Sequence, residues 1–344
     1  MNPLVSILIP AYNSERWIKA TLDSALAQTW KNIEIIVVDD GSKDNTFSVA
    51  KSFESRNVKV VSQKNSGASS ARNKALSFAQ GDFIQWLDAD DILAADKIEK
   101  QLFACGFNPE TDKLFSSAWG FFYFSLRRAK FISNNLWQNL APVDWLRIHL
   151  GDGYFMYPAV WLVSRKLTDK AGLWDERLSY NDDGEYFSKV VSKSEMIYFI
   201  QEAKSYHRIG NTTSLSNTAM SEKGYISLDL SVTLCIEYLL KLDNSDNSRQ
   251  ACIKRLQKMI NNMYTNNSEL IDKNKKIIME LGGGGMQDSG SFKFHIMKEL
   301  LGLKNAVGLK TKLWNMEILL RKNWDKLLYI VSGEDHKNLR EQIN

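Results

Sequence analysis

The segment FIQWLDADDIL, residues 83–93, runs apolar and then closes on three carboxylates, Asp88, Asp90 and Asp91. In an extended chain Asp88 and Asp90 project to the same side, about 7 Å apart. Two like charges at that range repel by about 2–3 kcal/mol when the effective dielectric is near 20. A divalent cation turns the repulsion into attraction, and hard carboxylate oxygens suit Mg²⁺ or Mn²⁺. A solvated loop with Asp90 or Asp91 capping a following helix is the plain alternative. Other apolar runs also end in polar chemistry, at Tyr12-Asn13, Asp39-Asp40 and Gln63-Lys64-Asn65.

Such ends need a scaffold that gathers them. LVSILIPAY, IEIIVVDD, VKVVS and DFIQWLD are short, dense in apolar and β-branched residues, and read as buried strands. Between them, residues 14–29, 45–55 and 68–80 read as helices. The first has Ser14 as N-cap and Ile18, Leu22, Ala25 and Leu26 as its inner face. Strands alternating with helices imply an α/β fold, with helices on both faces of a parallel sheet and the ligand crevice beyond the carboxyl ends of its strands. Further along, the aromatic-rich stretches 113–124 and 154–163 read as more strand and 221–281 as helical. The four glycines at 282–285 read as a flexible break. In the last segment Leu313, Met316, Leu320, Trp324, Leu327 and Val331 recur at helical spacing, with Lys312, Arg321, Lys322 and Lys326 on other faces.

Composition narrows the class. The 344 residues are 44% hydrophobic and 24% charged, as in ordinary soluble proteins. Basic and acidic residues balance over 1–220, so the net charge of +4 falls in 221–344. That predicts no nucleic-acid partner for the first part and allows a weak anionic contact at the end. Cys105, Cys235 and Cys252 form neither a disulfide framework nor a zinc spacing, which points to a reducing cytoplasm. MNPLVSILIPAYN enters a strand without a basic region or cleavage signal, and no apolar stretch has membrane-spanning length. The expectation is a cytoplasmic protein, with a peripheral place at the inner face of the membrane as its extension. IPAYNSER after the first strand holds no glycine, so a dinucleotide fingerprint and a P-loop are both missing. The phosphates of any nucleotide must be held otherwise, and a metal on Asp90 is the available means.

Five motifs in order, IPAYN, VVDDGSKDNT, NSGASSARN, WLDADD and GLWDERLSYNDDGEYF, resemble those of the family 2 glycosyltransferases. These have the nucleotide-diphosphosugar transferase fold called GT-A, and the resemblance covers about residues 3–215. It implies a nucleotide-binding set of Pro10, Ala11, Tyr12, Asp39, Asp40, Arg72 and Asp88. The Tyr12 ring would lie against the nucleobase, and Asp40 would accept a hydrogen bond from it, which suits uracil or thymine. Asp39 would lie near base or ribose, Arg72 would reach the nucleotide or its phosphates, and Asp88 would lie near the ribose. Asp90 would hold the Mn²⁺ or Mg²⁺ that bridges the diphosphate. Asp183 would be the base that deprotonates the acceptor, with Glu185 as competitor; the first acid of the family's Glu-Asp pair is here Asp182. YHRIGNTTSLS resembles the family's closing loop, with His207 as a further metal ligand.

The resemblance therefore implies a non-processive, inverting transfer from a nucleotide-sugar donor, UDP-linked, to a hydroxyl of a glycan or lipid-linked acceptor. The motif and membrane helices of the processive synthases are missing. A non-catalytic sugar-nucleotide-binding or scaffold protein is the alternative; a nucleotidyltransferase would need a glycine-rich, arginine-containing first loop. The expected organisation is a GT-A catalytic domain over 1–220, with a nucleotide-binding half (1–105) and an acceptor half (106–220). A helical extension (221–281), a flexible linker (282–291) and an amphipathic helical tail (292–344) follow. The tail suits peripheral membrane contact, self-association or packing on the catalytic domain. The aromatics Trp119, Phe121, Tyr123, Trp137, Trp145, Tyr154, Tyr157 and Trp161 are expected mainly in the core.

Overall fold

The structure, a computed structural model, describes residues 2–210, 221–263, 268–284 and 303–332. Nine strands form one sheet: β1 (Val5–Ala11), β2 (Ile33–Asp39), β3 (Val58–Ser62), β4 (Phe83–Trp86), β5 (Ile92–Leu93), β6 (Lys113–Phe122), β7 (Lys130–Phe131), β8 (Leu162–Ser164) and β9 (Met196–Arg208). Their order is β3-β2-β1-β4-β8-β6-β9-β5, with β7 paired to β6. The first four strands in that order are parallel, β8 runs antiparallel to β4 and β6, and β9 runs parallel to β6. The helices of the sheet region are α1 (Ile18–Leu26), α2 (Thr46–Lys51), α3 (Ala68–Phe78), α4 (Lys97–Ala104), α5 (Pro142–Asp152), α6 (Arg165–Ala171) and α7 (Asp182–Lys193).

The dense apolar runs become strands because both faces of the sheet are covered. Side chains alternate: Val5, Ile7 and Ile9 of β1 join one core with Ile18 and Leu22 of α1. Leu8 points the other way, into a second core with Ala71 and Ala75 of α3. Each such fully buried side chain contributes roughly 1.5–3 kcal/mol relative to exposure. Ser14 does not cap α1 with its side chain. Its carbonyl receives the N–H groups of Trp17 and Ile18, while its hydroxyl donates to Tyr12 O at 3.1 Å.

Several elements depart from the sequence reading: α4, α5, α6, β5 and β7 form where it marks none, and Leu26, expected on the inner face of α1, is exposed. Of 154–163, only the end is strand: Pro158 opens a short 3₁₀ turn, Pro158–Val160, and β8 starts at Leu162. Conversely, the 13-residue β9 arises where the sequence marks no element, because MIYFI is followed by a polar stretch. Its pairing with β6 carries a bulge after Ser117, which lets one strand serve both halves.

Residues 221–280 contribute α8 (Glu222–Leu242), α9 (Asp246–Met263) and α10 (Ser268–Glu280). Val232, Leu239, Cys252 and Ile260 from this region share one core with Trp145, Trp161 and Trp174. Residues 285–291 of the expected linker and 292–302 and 333–344 of the expected tail lie outside the described residues. Leu303–Val331 is one helix. No described helix is long and apolar enough to cross a membrane.

Candidate active site

The carboxyl ends of β1, β2 and β4 meet on one edge of the sheet, where Ala11 pairs with Asp39 and Leu8 with Trp86. The acids after β4 lie in a turn, not in the extended segment that their spacing implies. Asp91 N–H bonds to Asp88 O at 3.1 Å, and the Thr21 hydroxyl of α1 donates to Ala89 O and Asp91 O at 3.0 and 2.9 Å. This turn, rather than two-residue alternation, aims the carboxylates.

Asp91 is fully buried and organises the neighbouring strand. Its carboxylate accepts the Arg208 N–H at 2.9 Å and meets His207 Nδ1 at 3.1 Å. Register explains the meeting: Ile92 lies opposite Tyr206, so the next pair along is Asp91 and His207. Burial pulls the His207 imidazole down, but Asp91, with Asp90 and Asp88 behind it, outweighs burial and holds it above its usual range. Arg208 donates from Nε to Asp90 O at 3.0 Å and covers the Trp17 and Phe122 rings. Burial lowers it to about 10 despite Asp90 and Asp91.

Arg72, on the inner side of α3, ties the halves together. One guanidinium nitrogen donates to Asp88 at 2.9 Å and another to Asp182 at 2.5 Å, and the group lies 4.3 Å from the Trp174 ring centre. Burial opposes its charge, yet Asp182 and Asp88 raise its pKa above the usual arginine value. Arg72 is thus held by two carboxylates, Asp88 after β4 and Asp182 at the start of α7. Asp182 and Asp183 open α7 after Asn181, whose φ of 58° is a left-handed conformation that asparagine tolerates. Asp183 accepts the Gly184 N–H at 2.8 Å. Burial, then the neighbouring Asp182, push its carboxyl up to about 6, against the pull of Arg72. Glu185 points elsewhere: it is 1% exposed and accepts the Tyr238 hydroxyl of α8 at 2.5 Å.

The other strand ends separate two acids that the sequence leaves alike. Asp40 accepts Gln63 Nε2, Ser66 N–H and Gly67 N–H, all at 2.8 Å, so its carboxylate fastens the loop that leads into α3. Gly41 makes this closure feasible: its φ is +70°, and a Cβ there would stand 2.8 Å from Asn65 N. Asp39 uses Oδ2 for Ser42 N–H and Ser62 Oγ, at 3.3 and 3.2 Å, while its buried Oδ1 has no partner. Next to them Ala11 is buried, Pro10 half-buried, and the Tyr12 ring is 40% exposed.

Sequence reasoning placed Tyr157 with the core aromatics. Trp145 and Trp161 are core, but the half-buried Tyr157 ring stacks on His207 with centroids 3.6 Å apart. Burial raises its phenol, and the charges of Asp91 and Asp183 add to the rise. Its residue type carries no signal for that place. A cleft of about 460 Å³ adjoins the site, with Asn65, Gly67, Glu176 and Asp182 in its walls.

The donor set admits a divalent cation. Among the described residues no three metal-type side chains converge into a cage. Ions that travel with phosphates are commonly held by one or two carboxylates plus the substrate. Asp90 would offer one such carboxylate and His207 its Nε2, since a ligating imidazole usually gives its other nitrogen to a carboxylate, as Nδ1 does to Asp91.

Comparison with known proteins identifies the family and the fold. Residues 6–123 match the model of Glycosyl transferase family 2. An uncharacterized glycosyltransferase of Rickettsia typhi is 33% identical over 233 residues, which cover 64% of this chain and 68% of that protein. The Escherichia coli UDP-Glc:alpha-D-GlcNAc-diphosphoundecaprenol beta-1,3-glucosyltransferase WfgD is 47% identical over 100 residues, 29% of this chain and 40% of WfgD. Among solved structures, S. aureus TarS in complex with UDP superposes with a TM-score of 0.58 at 19% identity, covering 98% of this chain and 90% of that one. From its motifs, its sheet and these relatives, the chain belongs to glycosyl transferase family 2 and is a glycosyltransferase of the GT-A fold.

Proposed function

We propose that this glycosyltransferase moves one sugar per encounter, with inversion, from a UDP-linked donor to a hydroxyl of a glycan or lipid-linked acceptor. The observation that carries the reading is Asp183: a carboxylate raised to about 6, next to Asp182, which Arg72 joins to Asp88. A base of that pKa is ionised at neutral pH and still takes a proton readily. In the step, Asp183 removes the acceptor hydroxyl's proton as that oxygen bonds to the anomeric carbon. The bond from that carbon to the diphosphate breaks, and its electron pair leaves with the diphosphate. Asp90 and His207 would hold Mn²⁺ or Mg²⁺, which when bound supplies positive charge for the diphosphate.

For the base of the nucleotide, the reading moves from Asp40 to Asp39. The unpartnered Oδ1 of Asp39 suits the N3–H of uracil, whereas Asp40 is occupied with the 63–67 loop. Tyr12 offers its exposed ring beside it. UDP bound to TarS and the UDP-glucose and lipid-diphosphate substrates in the name of WfgD support a donor and acceptor of these classes. Residues 1–220 would form the catalytic domain, with 221–281 as an extension that shares its core. Three unpaired cysteines support a cytoplasmic place.

The test is Asp183→Asn, which changes almost no volume. Turnover should fall by at least about 10²-fold while UDP-sugar binding, read by thermal shift with and without Mn²⁺, persists. Donor affinity falling as far as turnover would instead make Asp183 a binding residue. Unchanged turnover would remove it from the chemistry.

A further inference from the structure

We propose that the outer face of the C-terminal helix, Leu303–Val331, docks on an anionic lipid surface beside the mouth of the active site. The helix has two sides. Its inner side is tied to the sheet region. Buried Asp325 accepts the N–H groups of Phe124 and Ser125 at 2.9 and 3.3 Å, and Lys322 donates to Gly210 O at 2.5 Å. Tyr329 approaches the Phe124 ring. A helix turns about 100° per residue, so Met316, Leu320 and Leu327 lie within about 40° of the side opposite Asp325. Within about 80° of that side, nine large apolar side chains stand in water, from Leu309 at 39% exposed to Val331 at 75%. The row extends about 33 Å along the axis. Contiguous apolar surface of that kind marks an interaction site.

Charge decides what covers it. Of the two acids in this stretch, Asp325 faces inward near Arg128, at 3.5 Å, and Glu317 is paired with Arg321 at 2.6 Å. Lys326 remains exposed at the margin of the apolar row and Lys312 within it. An apolar face that carries exposed lysines and no unpaired acid, on a helix not long and apolar enough to cross a membrane, is the pattern of a helix lying in the interface of an anionic bilayer. A second copy would bring like charges together in a symmetric pairing.

Position gives the contact a use. Lys322 grips Gly210, three residues past His207, and Phe124 follows the β6 segment whose Phe121 pairs with His207. The helix thus lies at the rim of the catalytic edge, where an acceptor anchored in lipid would be presented. The contact itself stands apart from the transferase reading; only its benefit to a lipid-linked acceptor rests on that reading.

The experiment is co-sedimentation of the full chain with phosphatidylcholine vesicles, with and without phosphatidylglycerol, in the absence of donor. The chain should bind the anionic vesicles at low salt and release at high salt. Leu320→Glu with Leu327→Glu should weaken binding by about tenfold or more, and Lys312→Glu with Lys326→Glu several-fold. Melting temperature and transfer to a soluble acceptor should be unchanged in both. If the first pair melts early, the lysine pair, which alters only exposed charge, carries the test. The proposal falls if the native chain ignores anionic vesicles at low salt, or if neither pair of substitutions weakens binding. It also falls if the lipid-free chain is a dimer that Leu320→Glu with Leu327→Glu dissociates, since a second copy would then own the face. Loss of transfer by Asp183→Asn with vesicle binding intact separates this contact from the catalytic assignment.

Discussion

Asp183 illustrates how much one side chain's environment decides. Its carboxyl faces Asp182 and Asp88 as like charges, Arg72 as the opposing one, and the phenols of Tyr157 and Tyr180. Since the ionised form must take the proton, turnover at saturating donor should decline as pH falls through about 6. Asp182→Asn removes the nearest like charge while Arg72 keeps Asp88, so the acid limb should move to lower pH. An acid limb that stays in place would mean that another group titrates. The residue types of this site were legible in the sequence: paired acids at a strand end, and a second acid pair far downstream. Their division of labour was not. Asp39 and Asp40 differ only in which one the 63–67 loop occupies, and that depends on Gly41 bringing Asn65 close. Tyr157 was hidden for a similar reason, because a tyrosine before a proline reads the same in a core as in a site.

Among the elements, the βαβ half was easiest to read, since its strands are buried on both faces and stay apolar throughout. The strand β9 was not, because its middle is exposed and only its ends are clamped. What clamps the far end is Asp91, through His207 and the Arg208 N–H. Asp91→Ala leaves both donors in the interior without an acceptor, at a cost of about 3 kcal/mol or more. Urea denaturation should register that loss, and donor-dependent activity should fall with it because His207 loses its orientation. A variant within about 0.5 kcal/mol of the parent would show that β9 is held elsewhere.

At the scale of the molecule, the sheet brings two distant stretches of chain to one edge. The acids of residues 88–91 and those of 182–183 meet there, with Arg72 spanning Asp88 and Asp182. Helical character after residue 221 was legible from periodicity. That α8 and α9 would complete the core around Trp161 was not, because their apolar faces specify burial but no partner.

The helix seated against Gly210 has a kinetic consequence. An enzyme held on a bilayer along that face meets its acceptor by lateral diffusion in two dimensions, so the quantity that sets its rate is acceptor per unit of surface. Adding inert anionic lipid to vesicles at fixed total acceptor should therefore slow transfer, although the bulk concentration is unchanged. The same dilution should leave transfer to a water-soluble acceptor analogue unaffected. Equal rates for the lipid-linked acceptor at every dilution would mean that it is taken from solution, with the bilayer a bystander.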